Sequence, residues 1–168
     1  LYRRLAAAGI RVPLMGATCL ASQLADTPSI ALLPECTAEP IDFLRSLDAF
    51  VYRTSDTWYE AFGRVVFEAM AAGVPVACAS RGGYAGYLEH GRSALLAPST
   101  DELMASLLAL RDDPPMAAGI ARAARRAFEA VQRDARRQLI RLLVGEPSPG
   151  DAAALERFAM TQPLAPGD

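Results

Sequence analysis

The chain has 168 residues, 52% hydrophobic and 21% charged, enough to bury one full-sized core and too few for two. A net charge of −2 supplies no global field to draw nucleic acid. No run approaches the roughly 20 uninterrupted apolar residues a membrane-spanning helix needs, and the N-terminus carries no signal-peptide pattern, so a soluble, cytoplasmic domain is expected.

In chain order, Leu1 is not a methionine and Leu1 to Gly9 reads as the end of a helix, so a fragment of a longer protein is expected. Short apolar runs of strand type follow at 10–15, 29–33, 48–53, 75–79 and 94–97. Helical patterns alternate with them at 2–8, 18–24, 41–46, 63–72, 84–89 and 101–111. Strict alternation predicts a parallel sheet. The runs Phe50-Val51-Tyr52 and Val74 to Cys78 are apolar without a break, as strands are when helices cover both faces. The predicted fold is therefore α/β, one Rossmann-like doubly wound parallel sheet in a single domain. Ligands of such sheets bind beyond the carboxyl ends of the strands, which directs attention to the loops after Leu33, Arg53 and Ala79.

After Pro114-Pro115 the pattern predicts a long helix to about Val144. Met116, Ile120, Ala123, Ala127, Val131 and Ile140 give it one docking face, and Arg122, Arg125, Arg126, Arg133, Arg136, Arg137 and Arg141 make the remainder basic. A solvated face is the plain reading of those arginines; peripheral contact with an anionic membrane is the other. Residues 145–150 read as a linker and 151–160 as a short terminal helix, so the domain is placed at 1–144 and the tail at 145–168. Cys19, Cys36 and Cys78 are odd in number and lack a CxxC spacing, and are read as reduced core thiols. No metal or other cofactor is implied.

The most informative stretch is Glu60 to Val76, E-A-F-G-R-V-V-F-E-A-M-A-A-G-V-P-V, directly after a predicted strand. A helix starting near Gly63 presents free backbone N–H groups and the positive end of its dipole to the mouth of the sheet, an anion site. Gly63 leaves room for close approach to the backbone, and Gly73 ends the helix before Pro75. Glu60, in the loop before the helix, and Glu68 are ordinary surface acids near a helix start on one reading; on the other they accept hydrogen bonds from ligand hydroxyls while the helix end holds a diphosphate. Trp58 and Tyr59, just before Glu60, either wall a sugar ring or anchor the loop. His90 is read as a surface cap at a helix end, and Thr54 and Ser80 lack the nearby histidine a nucleophilic serine or threonine requires.

The E-x7-E pattern within this stretch resembles the signature of the family-four retaining glycosyltransferases, which have the GT-B fold. The likeness continues through Ala77 to Gly83, Leu88 to Gly91, Leu95 to Pro98 and Asp101 to Leu103, and begins upstream with Leu47 to Tyr52, covering about Ile10 to Asp113. It implies that Glu68 holds the ribose hydroxyls of a nucleotide-sugar donor. Glu60, as the catalytic-site carboxylate, would touch the donor sugar. The amides at Phe62, Gly63 and Arg64 would meet sugar or phosphate. Leu33 and Pro34 would border the nucleobase, and Gly16 would stand at the cleft. Arg64 would add positive charge beside the diphosphate. Gly16-Ala17-Thr18 departs from the family's G-D-G turn, and Ala94 stands where a glycine is usual. Nothing in the chain matches the family's first strand with its Arg and Lys, or its N-terminal Rossmann domain with the acceptor site, so the fragment alone is expected to be inactive. The expected function is the donor domain of a retaining glycosyltransferase, in the synthesis of a polysaccharide or lipid-linked glycan at the inner face of a membrane. The alternatives are an epimerase or phosphorylase of GT-B architecture, or a non-catalytic docking module with a decayed site.

Overall fold

The computed structural model describes residues 1–55 and 57–144, with side chains as far as Leu139. The expected linker and terminal helix, and the side chains of Ile140 and Arg141, lie outside the described residues. The chain divides into two units, residues 1–128 and 129–168, and the α/β core lies in the first.

All five strands expected are present and all pair in parallel. They are β1 (Val12–Met15), β2 (Ile30–Leu33), β3 (Phe50–Tyr52), β4 (Val76–Ala79) and β5 (Leu95–Ala97). The helices are α1 (Tyr2–Ala7), α2 (Ala21–Leu24), α3 (Pro40–Arg45), α4 (Arg64–Ala72), α5 (Thr100–Asp112) and α6 (Pro114–Val144). Two segments expected as α-helix are tighter. Thr18–Leu20 is a 3-10 turn running into α2, and Gly83–Tyr87 is a 3-10 helix in place of a helix reaching Glu89.

The strands form two parallel sheets, β1-β2 and β3-β4-β5, where one sheet was expected. Helical crossovers force neighbouring strands to run the same way, which is why the direction was legible; which strands touch is set by long-range packing with no local signal. In β1 the amide of Val12 donates to the Ser29 carbonyl and that of Gly16 to the Leu33 carbonyl. Even-numbered amides thus serve the ladder, and Pro13, which has no N–H, falls on the side of β1 away from β2.

The fold is doubly wound: period-2 alternation along β4 feeds two cores. Ala77, with Leu95 and Ala97 of β5, joins Leu5 of α1, Leu103 and Leu107 of α5, and Val12 and Ile30 of the other sheet. Val76 and Cys78 point the other way, to Leu44 of α3 and Val66, Phe67, Ala69 and Met70 of α4. Every residue of β4 is buried, hence its unbroken apolar sequence. α6 contributes Ile120 to the first core and Ala124 to the second, with Met116 and Ala127 packed beside them as expected, and Ala123 in neither. Its arginines at 122, 125, 126, 133, 136 and 137 are exposed.

α5 opens on Ser99, whose hydroxyl oxygen accepts from the Glu102 amide at 3.2 Å, with Asp101 and Glu102 in the first turn where the dipole favours negative charge. Of the cysteines only Cys78 is in the core; Cys19 and Cys36 are exposed, so hydrophobic neighbours in sequence did not place them inside. Burial pushes the Cys78 thiol up to about 12. Two thiols are therefore expected to react promptly with a disulfide reagent at pH 8 and the third only on unfolding. Leu103→Ala, at a site 0% exposed, is expected to lower stability by about 2–5 kcal/mol in urea unfolding, while Arg126→Ala should stay within about 0.5 kcal/mol.

Candidate functional site

β3 ends at Tyr52, and the chain then loops out and returns to bring Glu60 against it. The Tyr52 hydroxyl donates to Glu60 Oε2 at 2.8 Å, and the amides of Phe62 and Gly63 donate to Oε1 at 3.2 and 3.0 Å. The Glu60 carbonyl accepts from the Gly83 amide at 2.8 Å. These donors, the tyrosine hydroxyl first and the two amides after it, hold the Glu60 carboxyl below the usual carboxylate range. Burial, then the hydrogen bond to Glu60, pushes Tyr52 up to about 12, so it stays a neutral donor at physiological pH.

The loop is shaped by Tyr84, a fully buried ring whose hydroxyl donates to the carbonyls of Ala79 and Arg81 at 3.0 and 3.2 Å. Gly63 sits directly over it at φ 74°; a Cβ there would overlap the ring, and φ in that region already favours glycine. Gly83 lies against the Ala61 carbonyl, where a Cβ would also collide. The loops after β3 and β4 are thus interlocked through two glycines and one tyrosine.

Gly63 is the residue before α4; in the first turn the Val66 amide donates to the Gly63 carbonyl at 2.9 Å, which leaves the amides of Arg64 and Val65 as those the helix start presents. One turn along, Glu68 stands with its side chain 41% exposed and paired through an oxygen to Arg64 Nε at 3.2 Å. Tyr52, Glu60, Phe62, Gly63, Arg64, Val65 and Glu68 line one open cleft of about 500 Å³. Five residues expected at the site from sequence are therefore brought together: Glu60, Phe62, Gly63, Arg64 and Glu68. Two of the amides expected to be open to a ligand, those of Phe62 and Gly63, donate here to Glu60. Arg64 has a side chain 86% exposed, with its Nε on Glu68.

Gly16, Leu33 and Pro34 form a separate group at the carboxyl ends of β1 and β2, where the Gly16 amide donates to the Leu33 carbonyl at 2.9 Å; they are not in the lining of the cleft. Trp58 and Tyr59 are 65% and 55% exposed, with the Arg81 guanidinium 5.9 Å from the Tyr59 ring centre. Thr54 is spent on the Trp58 carbonyl. His90 does not cap a helix. Its Nδ1 accepts from the Leu96 amide at 3.0 Å and so anchors the start of β5. Sequence reasoning missed Tyr52 and Tyr84. The available signal was a hydroxyl-bearing aromatic at the end of an apolar strand, where phenylalanine would pack as well and only a polar partner accounts for the oxygen.

The model of the family described as glycosyl transferases group 1 matches residues 17–127, which contain the whole cleft. The chain belongs to the glycosyl transferases group 1 family. Among solved structures, HepE of Anabaena in complex with UDP-glucose is 24% identical with a TM-score of 0.56, over 68% of this chain and 32% of HepE. HepE in complex with UDP gives 23% identity and a TM-score of 0.61 over 77% of this chain and 40% of HepE. WaaG, a glycosyltransferase involved in lipopolysaccharide biosynthesis, is 20% identical with a TM-score of 0.55 over 70% of this chain and 33% of WaaG. At these identities the likeness is one of fold, that of a Rossmann-like half of a GT-B protein, and the chain spans only about a third to two-fifths of these chains (32% to 40%). No curated protein matches. Among the described residues of this family member, no helix is long and apolar enough to cross a membrane.

Gly63→Ala is expected to cost about 1–3 kcal/mol, the sum of a left-handed backbone and a methyl pressed into Tyr84, read as a lowered urea midpoint. An unchanged midpoint would mean that the Tyr84 contact does not govern the loop.

Proposed function

We propose that this chain is the donor-binding half of a retaining glycosyltransferase, taking a nucleoside diphosphate sugar and passing the sugar to an acceptor hydroxyl. The observation that carries the reading is a single cleft in which two carboxylates, Glu60 and Glu68, flank the amide-presenting start of α4. A nucleotide sugar is a ligand with both kinds of group: a diphosphate for the helix end, and hydroxyls on its ribose and hexose for the carboxylates. Glu68 takes the ribose hydroxyls and Glu60 a hydroxyl of the sugar. The exposed Arg64 guanidinium and the amides of Arg64 and Val65 at the start of α4 offset the charge of the diphosphate as it leaves, so the residues of the cleft call for no metal. The acceptor hydroxyl attacks the anomeric carbon from the face the diphosphate departs, and its proton passes to the departing phosphate oxygen as the sugar–phosphate bond breaks. Leu33, Pro34 and Gly16, grouped at the other sheet's carboxyl edge, are assigned to the nucleobase side. That HepE is found with UDP and with UDP-glucose makes uridine donors the first to test.

Calorimetry of UDP, GDP and their sugar conjugates on the wild type and on Glu68→Ala tests this. Wild-type binding that falls about 10- to 100-fold in the variant is expected, the worth of charge-assisted hydrogen bonds of about 1.5–3 kcal/mol. Equal affinities would remove Glu68 from the ribose, and a wild type that binds no nucleotide would overturn the donor-site reading.

A further inference from the structure

We propose that Tyr52 is a positioning residue that fixes Glu60 as an acceptor for one hydroxyl of the donor's sugar, so that recognition of the sugar, and not of the nucleotide, runs through the Tyr52 hydroxyl. The inference rests on the donor-site reading and assigns a residue that the E-x7-E pattern does not contain.

An ionised carboxylate offers about four acceptor positions, two on each oxygen. In Glu60 the amides of Phe62 and Gly63 take both positions on Oε1, and Tyr52 takes one on Oε2. One position remains, on Oε2, and the cleft that Glu60 lines is where a ligand would reach it. Without the tyrosine hydroxyl, Oε2 has two open positions and nothing to fix its direction; with it, a single one.

Tyr52 itself has no freedom to follow Glu60. Its ring stacks on Phe50 at 6.4 Å and 13°, and meets Tyr84 edge-on at 5.7 Å and 79°. Tyr84 is fully buried and tied by its hydroxyl to the backbone at the end of β4 and just beyond it. A continuous chain of contacts therefore runs from the β4 terminus through two rings to one carboxylate oxygen. The Glu60 backbone is held independently by the Gly83 amide, so the tyrosine hydroxyl bears on the carboxylate and not on the path of the loop. A ring serving only as packing would be served by phenylalanine; the oxygen has Glu60 as its partner.

Tyr52→Phe keeps both ring contacts and deletes only the hydroxyl, which makes it the test. On the full chain, calorimetry with UDP and with UDP-glucose is expected to show UDP affinity within about twofold of wild type and UDP-glucose affinity reduced about fivefold, the loss of one aimed hydrogen bond. Glu60→Gln should lower UDP-glucose affinity in the same way, and the double variant should be no weaker than Glu60→Gln alone, because Tyr52 acts through Glu60. Losses that add, or equal losses for UDP and UDP-glucose, would overturn the proposal. A second measurement is independent of any ligand: carbon NMR titration should show the Glu60 carboxyl moving up toward the ordinary range in Tyr52→Phe. A Glu60 titration unmoved by the substitution would overturn the Tyr52–Glu60 link. A wild type that binds neither nucleotide while Glu60 does shift would instead sink the donor-site reading, and with it the sugar recognition, leaving the link itself established.

Discussion

The cleft depends on one buried ring. Tyr84 fills the space beneath Gly63, meets Tyr52 edge-on, and is moored by its hydroxyl to the carbonyls of Ala79, the last residue of β4, and Arg81 just after it. A tyrosine hydroxyl inside a core is tolerable only when satisfied, and here two acceptors at a strand end satisfy it. Because that strand end is the rigid edge of β4, buried at all four residues, the mooring gives the loop above it the stiffness of the sheet. Tyr84 also sets what the sequence above it can be: a glycine at 63, since a side chain would meet the ring, and a tight 3-10 turn from Gly83 whose first amide holds the Glu60 carbonyl.

The electrostatics follow from this framework. A carboxylate next to a helix N-terminus is favoured by the dipole, and Glu60 takes two amides there as an internal anion. Those amides are committed, and so is that of Val66, so in the proposed complex the diphosphate would have the amides of Arg64 and Val65 and the Arg64 guanidinium, while the sugar would meet Glu60. Ionisation of Glu60 is secured by three donors, and a carboxyl held in that form accepts hydrogen bonds without serving as a proton source near neutrality. Its part in the proposed chemistry is therefore to orient the sugar.

The sequence was most informative where local physics decides the outcome. β4 was legible as an unbroken apolar run because both its faces are covered, and α4 was bounded correctly because Gly63 and Gly73 punctuate it at positive φ. Glu60 to Glu68 fell into one cleft because a short loop and little more than one helical turn cannot carry them far apart. The split into two sheets was not legible, since strand adjacency depends on contacts across the whole unit. Nor was the role of His90, whose partner Leu96 lies across a turn, or the exposure of Cys19 and Cys36, whose apolar neighbours in sequence proved to be a short helical stretch and a loop at the surface. Tyr52 was read only as part of an apolar strand; its partner eight residues on becomes visible when the loop is folded back.

One residue breaks a local rule. Arg64 is the first residue of α4, where a cation opposes the dipole, and it precedes Glu68 in the i,i+4 pair, the weaker of the two orders. The pair is largely exposed, so its own contribution to stability is small and does not account for the choice. A guanidinium in that place becomes favourable once an anion lies between it and the helix end, because the fork and the amides then converge on the same charge. In the donor-site reading proposed above, the diphosphate is that anion.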